Sequence, residues 1–203
     1  MTQINEGFTG KSAASDDRLP PGQTQVTQWP VLSYGPTPHI DKSDWSLTID
    51  GEVNSPITLD WEAFNKIPQS TLTTDIHCVT RWSRFGMEWE GVLIDDLIAL
   101  AGGLTTNAKF AIAHSYGGYT TNLPVWDVQG GRGMIATKAD GEPLTPEHGG
   151  LARSFVPHLY LWKSAKWITR LTFTASDDPG FWEVNGYNNY GDPWKEERYS
   201  DEY

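Results

Sequence analysis

The residue best suited to chemistry in this sequence is Cys78, the only cysteine among 203 residues. It follows residues 72–76, whose pattern predicts a short strand, and precedes a polar, turn-prone stretch that extends to Gly86. Loops held on a rigid sheet often carry reactive groups, so Cys78 could be a working thiolate. A lone cysteine is also often a small buried apolar side chain, and residue type alone favours that second interpretation.

A second set of polar residues lies between positions 146 and 167. His148 and Arg153 flank a Gly-Gly pair, and the insert Lys-Ser-Ala-Lys at 163–166 interrupts a hydrophobic run from Phe155 to Trp167. Two cations beside free backbone N–H groups can hold a phosphate. Taken alone, a surface turn with solvated lysines is the simpler interpretation of the same residues.

Several common signatures are absent from the sequence. It contains neither a Gly-x-Ser-x-Gly hydrolase motif nor a phosphate loop that ends in Gly-Lys-Ser/Thr. Residues 131–136 fit a dinucleotide-binding glycine pattern, but they lead into a predicted strand instead of opening a helix. The five histidines show no zinc spacing, and one cysteine cannot form an internal disulfide, an all-cysteine zinc site or an iron–sulfur cluster.

The charge is negative and uneven. The formal net charge is −11, and residues 176–203 alone contain eight acidic and two basic side chains. A nucleic-acid-binding protein needs a concentrated basic face, so we expect no nucleic-acid partner. No run of about 18 apolar residues exists, which predicts no membrane span. The first residues lack the pattern of a secretory signal, and with a single cysteine we expect a cytoplasmic location.

Short strands dominate the predicted elements. Two helices are predicted, at 61–67 after Asp60 and at 94–101 before a Gly-Gly stop. Strands are predicted at 45–49, 110–114, 119–123, 134–137, 155–161 and 167–173, with a hairpin across Gly117 and Gly118. This order predicts an α+β domain with a mixed β-sheet or barrel-like core and a few short helices. We expect residues 1–28 to form an N-terminal arm, 29–175 the main domain, and 176–203 an acidic, aromatic tail packed on that domain.

Several segments occur in an order typical of one protein family. They are Gly35-Pro36-Thr37-Pro38, His77-Cys78-Val79-Thr80-Arg81-Trp82-Ser83, Trp89-Glu90-Gly91-Val92, Asp140-Gly141-Glu142-Pro143-Leu144, Glu147-His148-Gly149-Gly150, Arg153 and Lys163-Ser164-Ala165-Lys166-Trp167. Together they resemble the molybdopterin-binding domain of the sulfite oxidase family, over about residues 29 to 173. The aromatic tail is similar to that of compact, single-domain bacterial members.

The resemblance implies a molybdenum–molybdopterin cofactor in which one pyranopterin dithiolene chelates the metal and Cys78 adds a third sulfur. It implies two-electron oxygen-atom transfer to or from a small, sulfur-containing substrate. Tyr119 matches an active-site tyrosine, and Arg81 and Arg84 beside the metal loop could attract an anion. The cofactor-binding residues that it implies are Ser33, Tyr34, Cys78, His114, His148, Arg153, Lys163, Ser164, Ala165 and Lys166.

The sequence departs from true sulfite oxidases, whose cysteine loop carries paired arginines where this chain has Trp82 and Ser83. Sulfite oxidation and sulfoxide or N-oxide reduction therefore both stay open, as do molybdenum and tungsten. No segment corresponds to the family's haem or dimerisation domains, so we expect a monomer that exchanges electrons with a separate partner.

Two other classes of function stay open. Ten tryptophans could make a ligand-binding module in which Cys78 is only structural. A cysteine nucleophile with His77 as its base is less compatible with the pattern, because adjacent strand residues point to opposite faces.

Overall fold

Two β-sheets and short helical segments make up the fold in the computed structural model, which describes residues 17–200. The strands and α-helices are β1 (Thr24–Gln25), β2 (Ser46–Gly51), β3 (Ile57–Asp60), α1 (Trp61–Asn65), β4 (Ser70–Cys78), β5 (Trp82–Leu93), α2 (Ile94–Leu100), β6 (Phe110–Ser115), β7 (Thr120–Pro124), α3 (Val125–Val128), β8 (Met134–Ala139), β9 (Glu142–Pro143), β10 (Arg153–Phe155), β11 (Ile168–Thr174) and α4 (Phe181–Val184). Single 3-10 turns occur at Pro146–His148, Leu161–Lys163 and Pro193–Lys195.

The first sheet is built around the long strand β5. It pairs antiparallel with β4 and β8 and in parallel with β1, while β8 also pairs with β9 and β10. The register places Cys78 opposite Trp82, so the cysteine lies at the end of the β4–β5 hairpin.

The second sheet has the strand order β3-β2-β11-β6-β7. The pair β2–β11 is parallel and the other pairs are antiparallel, which makes the sheet mixed. The β6–β7 hairpin turns through Gly117 and Gly118, both with positive φ, so its loop projects from the end of this sheet.

The core consists of two hydrophobic clusters. The larger contains inner residues of both sheets, such as Leu47 and Val92, together with residues of α1 and α2. Successive residues of β8 divide between the clusters, because strand side chains alternate between faces: Ile135 lies in the larger cluster, Met134 and Ala136 in the smaller one. Cys78 belongs to the smaller cluster.

The predicted α+β class with mixed sheets is confirmed, although the sheets do not close into a barrel. Helix α1 begins where the sequence predicts, because the carboxylate of Asp60 accepts a hydrogen bond of 2.7 Å from the backbone N–H of Ala63. The predicted hairpin corresponds to β6 and β7, and the predicted second helix to α2.

Two local predictions are wrong. The strand predicted over 155–161 ends at Phe155, because Pro157 cannot donate to a ladder and the chain turns there instead. The turn after Cys78 is also shorter than expected, since β5 already begins at Trp82. Polar Ser83 is accommodated in this strand because its hydroxyl lies 2.8 Å from Nδ1 of buried His77 on β4.

The predicted arm lies partly outside the described residues, since the structure describes it only from residue 17. In the described part, Gln23 is buried and β1 pairs with Trp82 and Ser83. Between residues 17 and 200, no helix is both long and apolar enough to cross a membrane.

Candidate functional site

A cavity of about 750 Å³ lies where β4 ends. Its walls come from five parts of the chain: the proline segment (residues 29–38), the β4–β5 turn, the β6–β7 loop, the residues between 148 and 167, and the C-terminal segment from 181 to 187. A volume of this size is typical of sites for cofactors and small ligands.

Cys78 lines this cavity, although its side chain is largely buried. Its Sγ atom lies 3.1 Å from the hydroxyl of Thr80, and its carbonyl accepts a hydrogen bond of 3.0 Å from the side-chain amide of Gln23. Burial raises the pKa of the Cys78 thiol, with the Thr80 bonds and the charge of Lys166 acting in the opposite direction. A soft metal would overcome this effect, because coordination deprotonates a thiol.

Arg153 is a buried cation on the cavity wall. Its Nη1 and Nη2 atoms donate to the carbonyls of His148 and Ser164, at 2.9 and 2.7 Å, while its Nε has no hydrogen-bond partner among the described residues. Burial lowers the pKa of Arg153 to about 10, so the side chain is still charged at neutral pH. The wall therefore presents a fixed positive charge with one unused donor.

His148 also lines the cavity, and its ring stacks on Trp29 with ring centroids 3.8 Å apart. The Nε2 atom lies 3.2 Å from the carbonyl of Trp29, and the other ring nitrogen lies 3.2 Å from the hydroxyl of Thr145. Burial lowers the pKa of His148, which favours the neutral ring.

Lys166 connects the polar insert to the proline segment. Its Nζ donates to the carbonyl of Leu32, the hydroxyl of Ser33 and the carbonyl of Glu147, at 2.8, 2.7 and 2.6 Å. Burial, followed by the charge of Arg153, lowers the pKa of Lys166 to about 7. Lys166 and Ser33 both line the cavity.

Ser164 and Ala165 lie on the same wall, but polar atoms of both already have partners. The hydroxyl of Ser164 accepts a 2.9 Å hydrogen bond from the N–H of Val156, and the N–H of Ala165 donates to the hydroxyl of Ser154 at 2.7 Å. These bonds fix the shape of the insert.

The two tyrosines predicted for the site also line the cavity. The hydroxyl of Tyr119 donates to the carbonyl of Trp162 at 2.5 Å, and burial raises the pKa of Tyr119 well above its usual value, so the side chain is neutral. Tyr34 is largely exposed, and its ring packs on Phe181 with centroids 4.8 Å apart.

The structure does not bring the side chains of Lys163, His114 and Arg81 to the cavity wall. Lys163 is fully buried, and its Nζ donates to the backbone and side-chain oxygens of Asn122 and to Glu183, at 2.7, 2.9 and 2.6 Å. Its position next to Ser164 in sequence therefore does not make it a wall residue.

His114 and Arg81 are kept from the cavity by backbone geometry. Ser115 lines the cavity, so its strand neighbour His114 points to the opposite face of the sheet. Arg81 has a positive φ of 70° in the tight β4–β5 turn, and its guanidinium lies beside Gly22. Arg84 forms an ion pair with Asp140 at 2.6 Å.

The sequence-based prediction missed a group of aromatic residues on the wall. Phe181, Trp182 and Tyr187 of the C-terminal segment, together with Trp162, line the cavity. The available signal was the aromatic, turn-rich composition of the tail, which predicts packing on the domain but not a contribution to the site.

The cavity residues fit a molybdopterin cofactor. One wall offers a soft thiol, and another offers Arg153 with an unused Nε, together with Lys166, where an anionic group could bind. Among residues 17–200 no group of three or more His, Cys, Asp or Glu side chains could hold a metal ion. Cys78 is therefore a candidate for a single protein ligand beside ligands that a cofactor supplies.

An α+β fold that places a lone thiol and two cations around one cavity is typical of a cofactor-binding domain. The family model described as the oxidoreductase molybdopterin binding domain matches residues 34–182, and the chain belongs to this family. An uncharacterized oxidoreductase of Bacillus subtilis, YuiH, is 43% identical over 196 residues, which cover 95% of this chain and 98% of the relative.

More distant similarities extend to larger proteins. The NADPH nitrate reductases of Beauveria bassiana and Emericella nidulans are 27% and 28% identical, over 84% of this chain but only 24% of their own length. The crystal structure of the sulfane dehydrogenase SoxCD from Paracoccus pantotrophus matches 74% of this chain and 42% of that chain, with a TM-score of 0.64 and 24% identity. This structural similarity supports the fold.

Proposed function

We propose that the protein is a molybdenum-cofactor-dependent oxidoreductase that performs two-electron oxygen-atom transfer on a small substrate, with the thiolate of Cys78 as the protein ligand to the metal. The observation that supports this proposal best is the position of the only thiol in the chain, on the same cavity as Arg153 and Lys166. When bound, a molybdenum–molybdopterin cofactor with one pyranopterin dithiolene supplies the two-electron chemistry.

The residues of the polar wall would hold the anionic end of this cofactor. Arg153 offers its unused Nε, and the buried surroundings strengthen its attraction for an anion. Lys166 would add its charge, the hydroxyls of Ser33 and Ser164, which accept hydrogen bonds within the protein, would donate their own protons, and Ala165 would shape the wall. His148 would position the proline segment through its stacking on Trp29. Tyr119 would offer its hydroxyl oxygen as an acceptor on the cavity side.

The partners follow from the same proposal. The substrate would donate or accept one oxygen atom. Sulfoxides, sulfite and nitrate are the candidate substrates to test first, since the relatives include nitrate reductases and a structural neighbour is a sulfane dehydrogenase. A separate protein would exchange the electrons. We infer a monomer and a cytoplasmic location in keeping with the single cysteine. We also infer an N-terminal arm of residues 1–28, a main domain of residues 29–175 and a tail of residues 176–203 packed on that domain.

Elemental analysis and X-ray absorption of Cys78→Ser test the role of Cys78. Protein from cells that make the cofactor should contain molybdenum in near-stoichiometric amount. In Cys78→Ser we expect the metal to have one sulfur neighbour fewer and activity to fall at least about 100-fold, because changes beyond the direct ligands already cost 10–100-fold.

A matched control is Ala101→Ser, which places the same hydroxyl in the main core and not on the cavity wall. It should keep the metal content and the sulfur neighbours of the wild type. Metal-free wild-type protein, from cells that load another molybdenum enzyme, would contradict the proposal and would favour the Trp-rich binding module instead.

A further inference from the structure

Six aromatic side chains form a continuous surface along the cavity. Tyr119 and Tyr34 each contact Phe181, with ring centroids 6.0 and 4.8 Å apart, and Phe181 lies 5.0 Å from Trp182. Trp182 stacks on Tyr187 at 4.8 Å, and Tyr187 meets Trp162 at 5.0 Å. We call these six residues the aromatic wall; all of them line the cavity.

The two cations of the described cavity lining have hydrogen-bond partners of their own, and the proposed function assigns both to the anionic end of the cofactor. They are Arg153, bonded to two carbonyls, and Lys166, bonded to three oxygen acceptors. The arginines that flank the cysteine loop, Arg81 and Arg84, do not line the cavity. With Arg153 and Lys166 occupied by the cofactor, an oxyanion substrate on the aromatic wall would lose hydration without gaining a further cationic partner, which disfavours its binding.

Three donors of the aromatic wall have no hydrogen-bond partner among residues 17–200: the hydroxyls of Tyr34 and Tyr187 and the indole N–H of Trp182. Tyr187 is the most buried of the three residues. Tyr119 already donates to the carbonyl of Trp162, whereas the hydroxyl of Tyr187 forms no hydrogen bond with any residue in the range 17–200. Burial is the main reason that the pKa of Tyr187 rises to about 12, and a charge at Cys78 raises it further, so Tyr187 lies within electrostatic reach of the thiol. A charge at Cys78 also raises the pKa of Lys166 and of Arg153. The thiol therefore lies within electrostatic reach both of these cations and of the aromatic wall.

We propose that the aromatic wall binds the substrate, that this substrate is a neutral sulfoxide with an apolar or aryl substituent, and that the hydroxyl of Tyr187 donates a hydrogen bond to the sulfoxide oxygen. The proposal rests on the function proposed above. The wall stacks on the substituent, because aromatic rings favour offset or edge contacts with other rings. Tyr187 then aims the oxygen toward the side of the cavity where Cys78 lies.

The overall reaction balances as a two-electron reduction. The sulfur–oxygen bond of the sulfoxide breaks, sulfur is reduced to a thioether, and the oxygen leaves as water after taking up two protons. Two electrons come from an external one-electron donor; reduced methyl viologen supplies them in the test.

Substrate preference is measured on the molybdenum-loaded protein with methyl p-tolyl sulfoxide, dimethyl sulfoxide and nitrate, and with sulfite and ferricyanide in the oxidative direction. We expect kcat/KM for methyl p-tolyl sulfoxide to exceed that for nitrate or sulfite by about 100-fold, because the lining offers an oxyanion no cation beyond the two assigned to the cofactor. The kcat/KM for methyl p-tolyl sulfoxide should exceed that for dimethyl sulfoxide by about tenfold, because the aryl ring stacks on the aromatic wall.

Two variants separate the roles of the wall. Phe181→Ala should raise KM for methyl p-tolyl sulfoxide by about tenfold, and it should change KM for dimethyl sulfoxide much less. Tyr187→Phe should lower kcat/KM for both sulfoxides by about tenfold, since one hydrogen bond is lost. Tyr190→Phe is the matched control, because its hydroxyl lies 3.1 Å from Asp127 and the residue does not line the cavity.

A binding measurement distinguishes hydrogen bonding from a structural role. Methyl p-tolyl sulfide, the thioether product, lacks the oxygen, so Tyr187→Phe should leave its Kd unchanged in a tryptophan-fluorescence titration, whereas Phe181→Ala should raise it. Equal weakening of sulfide binding in Tyr187→Phe would overturn the assigned role. Faster turnover of sulfite or nitrate by fully loaded protein would overturn the substrate class while the proposed function stands, and protein without molybdenum would overturn both.

Discussion

At the residue scale, burial governs how the ionisable groups around Cys78 titrate. The same loss of hydration raises the pKa of the Cys78 thiol and lowers those of Lys166 and His148. The pocket thus favours neutral forms at the thiol and the imidazole, while Arg153 keeps its charge. Because Arg153 is buried, its attraction for a charged ligand would be stronger than the same contact in water.

His77, next to Cys78, should make stability depend on pH. Burial lowers its pKa to about 4, with Asp75 acting in the opposite direction. The unfolded chain takes up a proton near pH 6.5 and the folded protein only near pH 4, so the His77 contribution is complete above 6.5 and is lost as the pH falls to 4. We expect a loss of about 3 kcal/mol in the free energy of unfolding over this range.

Urea unfolding of the wild type and of His77→Asn, at several pH values between 4 and 7, isolates this contribution. The difference in unfolding free energy between the two proteins should change with pH over that window. Parallel pH profiles would show that the His77 side chain does not cause the effect.

At the element scale, one buried ion pair attaches the segment of the aromatic wall to the second sheet. Glu183 of α4 accepts hydrogen bonds from Lys163, from the hydroxyl of Thr121 on β7 and from the indole of Trp162, at 2.6, 2.8 and 3.0 Å. Because α4 is only four residues long, it depends on such contacts for its position. Phe181 and Trp182 are thereby held on the cavity side.

Lys163→Met should therefore reduce stability strongly. It leaves the carboxylate of Glu183 buried without its cation, which we expect to lower the free energy of unfolding by about 3–5 kcal/mol. The double variant Lys163→Met/Glu183→Gln should recover most of this loss, because it removes the unpaired charge and keeps an oxygen acceptor.

Chemical denaturation of the two single variants and the double variant, with molybdenum content measured on each, distinguishes this role from cofactor binding. A loss of molybdenum without any loss of stability in Lys163→Met would show that Lys163 contacts the cofactor and would refute the structural role.

At the scale of the whole molecule, the two ends of the described chain meet at one buried arginine. Arg198 donates to the hydroxyl of Tyr160 and, at 3.0 Å, to the carbonyl of Pro21. Its guanidinium lies over the ring of Tyr160, 5.1 Å from the centroid. The N-terminal segment that carries β1 and the C-terminal segment thus share one anchor beside the cysteine hairpin.

Arg198→Met should destabilise the folded protein by about 2–3 kcal/mol, since two oxygen atoms lose a charged donor in a buried place. Lys195→Met is the control: Lys195 is exposed and forms ion pairs of 3.4 and 3.9 Å with Asp192 and Glu197 in the same segment, and long pairs with an exposed partner contribute about 1 kcal/mol or less. Urea denaturation of both variants measures the difference, and equal effects would contradict the anchoring role of Arg198.

Local patterns in the sequence were sufficient for much of the fold and for part of the site. Alternating apolar residues, an Asp cap and glycine turns predicted β2, α1, and the β6–β7 hairpin, because these features act over a few residues. The order of motifs predicted that Cys78, Arg153 and Lys166 belong to one site, and all three line the same cavity. The same reasoning was wrong between Phe155 and Leu161, where the apolar run predicted a strand but Pro157 prevents strand pairing.

Only the tertiary structure decided which polar side chains face the cavity. Lys163 and Lys166 are three residues apart, yet one is neutralised by Glu183 and the other lines the cavity, because buried partners distant in sequence orient each ammonium group. Tyr187 and Cys78 are more than 100 residues apart in the sequence, yet both line the same cavity. A strand pattern determines which face a residue occupies, but not which distant segment covers that face.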